Sequence, residues 1–218
     1  KPTEQIFDKV VPTILNEYFK EFMDDLSAKV FRTYNASWTL QQELDKFDAS
    51  QKDCYSQEDL LKFYTDANRQ VAILCNHQKA VSKQHGASMD KMKAAEEEMR
   101  KNLKLYKRHL KGLQTHEGKV LQVKPEYVNK LPKDKASCNK KIAELKLRLM
   151  KHQKNMMMKE DNKTVALGTS KMNYMDPRIT VAWCKKVDLA IEKVFPRTVR
   201  SKFPWAMHFS SKYRFSPS

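Results

Sequence analysis

In the stretch LGTSKMNYMDPRIT, residues 167–180, Tyr174 stands four residues after Ser170, three after Lys171 and just before an Asp-Pro turn. A tyrosine so placed is either a packing residue or a nucleophile. As a nucleophile it meets a fixed obstacle. A phenol has a pKa of about 10, so reaching the phenolate at pH 7 costs roughly 4 kcal/mol. Positive charge nearby lowers that cost, and this chain has positive charge in excess. Its 42 Lys and Arg against 26 Asp and Glu give a formal net charge of +16. Such a balance predicts a polyanionic partner, either nucleic acid or an acidic membrane surface, unless it serves solubility alone.

Other chemistries find no support in the residues. Cys54, Cys75, Cys138 and Cys184 are far apart and form no CxxC pair, so they predict reduced, buried thiols rather than a zinc site or a disulfide framework. His85, His109, His116, His152 and His208 show no metal-ligand spacing. There is neither a Walker loop nor a carboxylate cluster, and no metal or cofactor is expected. No apolar run approaches the roughly 20 residues of a membrane span, and nothing at the amino end reads as a signal peptide. The chain opens at Lys1 rather than Met and reads as a piece of a longer protein.

The elements that must position Tyr174 are predicted to be helices throughout. Only four glycines, with abundant Lys, Glu, Leu and Met, point to an all-α fold. Three parts follow one another. In residues 1–85, Ile6, Val10, Ile14, Tyr18, Phe22 and Leu26 recur at helical spacing, and Pro12 can open the main helix. Ser27 can cap a second helix carrying Val30, Phe31, Tyr34, Trp38 and Leu44. Ser56 and Asp59 resemble a capping box, with Leu60, Leu61, Tyr64, Ala67, Val71, Leu74 and Cys75 as the apolar stripe behind it.

Residues 86–162 differ in kind. Met89, Met92, Met99, Leu103, Tyr106, Leu110 and Leu113 form one heptad seam, with Glu96 in one position; Cys138, Ile142, Leu145, Leu149, His152 and Met156 form another. Gly118, Pro125 and Pro132 interrupt them. The reading is a protruding antiparallel two-helix coiled coil with an irregular tip. Residues 86–160 hold 20 Lys/Arg and 9 Asp/Glu, so this arm carries +11 of the +16. Residues 163–218 are apolar again. Asp176 can cap a helix opened by Pro177 that carries Ile179, Val181, Ala182 and Trp183. Phe195, Phe203, Trp205 and Phe209 add core, and a 56-residue piece of this kind is expected to dock on the first part.

The blocks VFRTYNAS (30–37), NRQVAILCNHQ (68–78) and LGTSKMNYMDPRITVAWCKK (167–186) resemble the carboxy-terminal portion of eukaryotic type IB DNA topoisomerases. The resemblance spans all three parts in order: the end of the catalytic core, a basic helical linker and a small tyrosine-bearing domain. It implies that Tyr174 is the nucleophile and that Arg32 and His77 complete the catalytic positions of this chain. It further implies DNA contacts for Asn16, Lys29, Thr33, Asn76, Thr169, Ser170, Lys171 and Asn173. Asn173 is also the position the family presents to camptothecin-type poisons. The implied partners are double-stranded DNA and the missing upstream core of the same enzyme, in a monomer; the implied address is the nucleus, with a mitochondrial form left open.

Departures from the family pattern accompany the match. The family's further arginine and lysine fall before Lys1, as does the domain that closes over the duplex. VDLAIEKVF follows Lys186 where a tryptophan is usual, Gln70 and Lys79 replace Ala and Arg, and KYRFSPS is basic where relatives tend to be acidic.

The implied reaction suits these residue types. Arg32 offers a flat, permanently charged group able to donate two parallel hydrogen bonds to phosphate, and His77 can donate to another oxygen. In a tyrosyl-3′-phosphate one ester replaces another and the bond energy is retained, so cutting, strand rotation and resealing need neither ATP nor metal. A cationic arm near the rotating duplex is expected to slow rotation. The fragment alone is expected to be inactive. Without the resemblance, Arg32 could lie over Phe31 and Tyr34, and His77 could serve a helix end. Two rivals compete. One is a non-enzymatic basic coiled-coil protein that binds nucleic acid or scaffolds a complex. The other is a tyrosine recombinase, whose usual His-x-x-Arg is not matched by His77, Gln78, Lys79 and Ala80.

Overall fold

The computed structural model describes residues 9–115 and 131–216. Ile6, His116, Gly118 and Pro125, named above, lie outside the described residues. The described chain is helical, and its extended pairing is an isolated antiparallel bridge between Gln78 and Val165. Two compact units are present, one made of residues 1–79 with 164–218 and the other of residues 80–163. No described helix is long and apolar enough to cross a membrane.

The first unit is built around α2 (Ala28–Asp45), α3 (Gln57–Leu74) and α7 (Pro177–Lys186). The start of α3 is set by a capping box: the Ser56 side chain accepts from the Asp59 amide while Asp59 reaches back to the Ser56 amide. Behind it Leu60, Tyr64, Ala67, Val71 and Cys75 recur every three or four residues and are buried. Helix α7 opens with Pro177 in its first turn, and Asp176 accepts from the Arg178 amide at 2.9 Å. Its Ile179, Val181, Ala182 and Trp183 are all buried.

Trp183 joins the elements. Its ring stacks on Phe63 at 6.0 Å, and Phe47 and Tyr64 each approach it at 5.9 Å. The Tyr64 hydroxyl, wholly buried, shares a 2.8 Å hydrogen bond with Thr180. Burial pushes that phenol far above its ordinary pKa, so it stays neutral and serves packing. After α7, Asp188 takes a left-handed φ of 55°, and the Leu189 amide bonds back to the Cys184 carbonyl at 2.9 Å. Lys52 and Gln57 both bond Asp188, fastening this turn to α3 and the 3₁₀ turn before it.

Several expectations need correction. Among the described residues the amino-terminal periodicity yields α1 (Pro12–Lys20), and Phe22 lies past its end, 68 % exposed. Ser27 precedes α2 but makes no side-chain cap. The buried face of α2 is Ala36, Ser37, Leu40, Gln41 and Leu44, whereas Val30, Phe31 and Tyr34 are exposed. The physical reason is partnering: α3 and α7 cover only the carboxy-terminal half of α2. Leu74 is likewise exposed, because the last turn of α3 meets the core through Val71, Ala72 and Cys75 and Leu74 lies on the other side of the helix.

The second unit is α4 (His85–Thr115) and α5 (Lys135–Asp161). Cross-links run in opposite orders along the two helices and define an antiparallel pair. His85 meets Glu160 at 3.0 Å, His152 meets the Met92 carbonyl at 2.8 Å, and Gln153 donates to Glu96 at 2.7 Å. Nearer the tip, the Cys138 thiol lies 3.6 Å from the Tyr106 carbonyl, and His109 meets the Pro132 carbonyl at 2.8 Å. Met89, Cys138, Ile142 and Leu149 are its buried apolar side chains among the described residues. Glu160 is held down at about 2 by its bonds to Lys163 and His85, and Glu96 is lowered by Gln153 and Arg100.

A seven-residue helix, α6 (Leu167–Asn173), carries the residues leading to Tyr174 and belongs to the first unit. Its Lys171 was expected on a phosphate. Instead its ammonium turns into the unit, donating to the Val194 carbonyl at 3.1 Å and lying 5.1 Å above the Tyr64 ring. Burial pulls its pKa from the usual 10.5 down to about 8. The folded state therefore holds fewer protons at this site than the unfolded chain between those two values. The charge costs stability most below pH 8, and that cost fades as pH rises toward 10.5.

Two outcomes are expected from unfolding experiments. Leu40→Ala, at a side chain with 0 % exposure, should lower unfolding free energy in urea by about 2–5 kcal/mol; a loss under about 1 kcal/mol would mean the site is not close-packed. The stability difference between Lys171→Met and the parent should move in the parent's favour as pH rises from 8 to 10.5. A difference independent of pH would count against a desolvated ammonium.

Candidate active site

Three separate segments converge on Tyr174. Helix α2 supplies Arg32, one turn before buried Ala36 and therefore at the point where the packed face of the helix reaches solvent. Its Nη1 points at the Tyr174 hydroxyl from 3.5 Å, and its Cζ lies 5.5 Å from the ring centroid. The first distance is long for a hydrogen bond; the contact places a permanent cation beside the phenol without locking it.

His77 is delivered by the end of α3. Asn76 adopts a left-handed φ of 54°, which asparagine tolerates better than most side chains. Its amide bonds the Ile73 carbonyl at 2.9 Å and the His77 amide bonds the Ala72 carbonyl at 2.8 Å. This pair of bonds is the Schellman closure of a helix. It turns the chain sharply and sets the imidazole against Tyr174, with ring centroids 5.0 Å apart. His77 Nδ1 lies 2.8 Å from Ser170 Oγ. When Ser170 donates this bond, Nε2 carries the ring proton and is the donor on the opposite edge. Burial first, and then the charge of Arg32, lowers the His77 pKa, which favours the neutral ring.

Helix α6 is too short to hold itself and is fixed from outside. The wholly buried Asn68 donates to the Leu167 carbonyl at 3.1 Å, and Lys202 donates to the Met172 carbonyl at 2.6 Å. Past the tyrosine, Ser37 of α2 makes two bonds with one hydroxyl. It donates to the Tyr174 carbonyl at 3.4 Å and accepts from the Asp176 amide at 2.9 Å. Ser37 and Asn68 were not singled out by sequence reasoning. Both sit within the blocks that drew attention, and the signal was a small polar residue inside an otherwise apolar helix face.

The remaining expected residues divide. Lys29, Arg32 and Thr33 share one face of α2, with Lys29 exposed and the Thr33 hydroxyl bonded to the Lys29 carbonyl at 3.0 Å. Thr169 and Asn173 share the exposed face of α6, joined by a 3.3 Å bond from the Asn173 side-chain Nδ2 to the Thr169 carbonyl. Asn76 is exposed beside His77. Ser170, by contrast, is wholly buried against His77 and acts on the imidazole rather than as a surface contact. Asn16 is engaged too, its side chain accepting from the Ala28 amide at 3.0 Å and so satisfying a free donor at the start of α2. Among the described residues no group of three or more His, Cys, Asp or Glu stands together as metal ligands.

A phenol flanked by a guanidinium and a neutral imidazole donor is suited to attack on an anionic centre. Comparison with known proteins fits that chemistry. Residues 1–110 match the family model of the eukaryotic DNA topoisomerase I catalytic core, and residues 146–215 match that of the C-terminal topoisomerase domain. Over 98 % of its length the chain is 43 % identical to DNA topoisomerase 1 alpha of Arabidopsis thaliana, covering 23 % of that protein. It is 42 % identical to DNA topoisomerase 1 of Drosophila melanogaster over 99 % of the chain, covering 20 % of that relative. The Homo sapiens DNA topoisomerase 1 is 40 % identical over 99 % of the chain, which covers 27 % of it. The chain thus spans about a quarter of the length of the curated relatives it matches, and it belongs to the eukaryotic DNA topoisomerase I family.

Proposed function

We propose that this chain is the tyrosine-bearing part of a type IB DNA topoisomerase, acting in the nucleus on double-stranded DNA. The observation that carries the reading is the meeting of Arg32, His77 and Tyr174 from three segments far apart in sequence. Tyr174 Oη attacks a backbone phosphorus, an oxygen–phosphorus bond forms, and the bond from phosphorus to the 5′-oxygen breaks. The phenol loses its proton and the departing 5′-oxygen gains one. Arg32 and His77 Nε2 donate to the non-bridging oxygens, where negative charge grows. Lys29, Thr33, Asn76, Thr169 and Asn173 hold the flanking backbone, and sequence reading is left to no groove-entering element. The upstream part of the catalytic core supplies the remaining cationic groups, including the lysine that protonates the leaving group. Resealing is the same step reversed, so no nucleotide or metal is consumed.

The test uses the whole enzyme that contains this chain, with a supercoiled plasmid and a nicked duplex. Tyr174→Phe should abolish the covalent 3′-adduct and relaxation while leaving DNA affinity within about twofold, because one hydroxyl adds little to binding dominated by phosphate charge. Arg32→Ala should slow single-turnover cleavage by about a hundredfold or more. An adduct that persists in Tyr174→Phe would remove the assignment of the nucleophile.

A further inference from the structure

The basic tail takes no part in the proposed reaction, yet it bonds both to the turn after Tyr174 and to α2. Tyr213 donates its hydroxyl to Asp176 Oδ2 at 3.1 Å. Asp176 lies two residues after the nucleophile and is 12 % exposed. The same carboxylate holds Arg178 through Nε at 3.0 Å and Nη2 at 2.5 Å, and the Arg178 guanidinium stacks on the Tyr213 ring with Cζ 4.6 Å from its centroid. One residue on, Arg214 bonds Asp45 of α2 at 2.7 Å. The Phe215 amide bonds the Gln41 side chain at 3.1 Å, and Gln41 in turn donates to Asp45 at 2.9 Å. The Phe215 ring rests 5.8 Å from Tyr34. The tail therefore grips the turn after Tyr174 at one end and the helix bearing Arg32 and Ser37 at the other.

We propose that Tyr213, Arg214 and Phe215 form a positioning strap, in which Tyr213 acts through Asp176 to aim Tyr174 while Arg214 and Phe215 anchor the tail to α2. The proposal rests on the reading of Tyr174 as the nucleophile. Its physical basis is the carboxylate. Asp176 has to cap α7, keep its amide on Ser37 and hold Arg178 in one rotamer. A second donor from outside the turn restricts that rotamer, and with it the carbonyl and amide that flank Met175. The basic character of Arg214 has a local purpose on this account, because Asp45 is the partner it meets.

Single-turnover cleavage, DNA affinity and Tm are measured on the whole enzyme. Tyr213→Phe keeps the ring over Arg178 and removes only the bond to Asp176. It should slow cleavage about tenfold, with affinity unchanged and Tm lower by at most about 2–4 °C, the shift expected for losing one hydrogen bond. In an Asp176→Ala background the same change should add little further loss, because Tyr213 then has no carboxylate to act through. Arg214→Glu should also slow cleavage, and adding Asp45→Arg should restore it. Full-speed cleavage in Tyr213→Phe, a loss matched by lowered affinity or by a Tm fall well beyond one hydrogen bond, or a charge swap that restores nothing would overturn the strap. If the parent enzyme forms no Tyr174-dependent adduct, the reaction itself is misassigned; if it does and the strap variants cleave normally, only the strap falls.

Discussion

One hydroxyl sets the geometry on which everything else depends. Ser37 lies 1 % exposed on α2 and joins that helix to the backbone on both sides of Met175. Arg32 sits on the same helix five positions earlier. The spacing of the Arg32 and Tyr174 backbones is therefore set by about one and a half turns of helix plus one shared side chain. A buried serine is an economical tether for this purpose. It is short, has few rotamers, and serves as donor and acceptor at once. Its burial also makes the tether hard to release, since either broken bond would leave a polar group without water.

The charges of the site follow a related logic. His77 is partly desolvated and lies beside Arg32, and both effects favour its neutral form. With Ser170 donating to Nδ1, the neutral imidazole keeps a donor at Nε2, and repulsion from Arg32 is avoided. Lys171 shows the opposite use of a cation. Its ammonium is drawn inward by the Val194 carbonyl and the Tyr64 face, fastening α6 to the segment around Phe195. Lys202 makes a comparable link to Met172. In a chain this basic, two lysines near Tyr174 have become structural bolts, and Arg32 is a cation that faces the phenol.

Much of this was legible in the residues. The capping box at Ser56 and Asp59 and the Asp-Pro start of α7 are local signals with local causes, and they hold. The seams of α4 and α5 were visible because a two-helix pair leaves every other position in solvent. The convergence of Arg32, His77 and Tyr174 came from resemblance, since no local pattern links positions so distant. What stayed hidden was tertiary. Lys171 reads as solvated, like most lysines here, because the Val194 carbonyl that buries it lies 23 residues away. Ser170 reads as a surface hydroxyl until α3 supplies the imidazole that covers it. The exposed half of α2 reads as core because periodicity reports an apolar face and not what covers it.

The site also tolerates a long excursion in the chain between two of its parts. His77 and α6 are separated by residues 80–163, which form a compact unit of their own. The ends of that excursion are closed by a small antiparallel clasp. The Lys79 amide bonds the Thr164 carbonyl at 2.9 Å, and the Ala166 amide bonds the His77 carbonyl at 2.8 Å. Loop closure weakens slowly with length, by only about 0.6 kcal/mol per doubling. Two backbone bonds at the neck can offset such a term, and they act on the residue that matters, because the second uses the His77 carbonyl itself. The clasp holds His77 from its backbone while Ser170 holds its ring. The imidazole is thus fixed by the strand-like neck and by α6 together, whatever the length of chain between them.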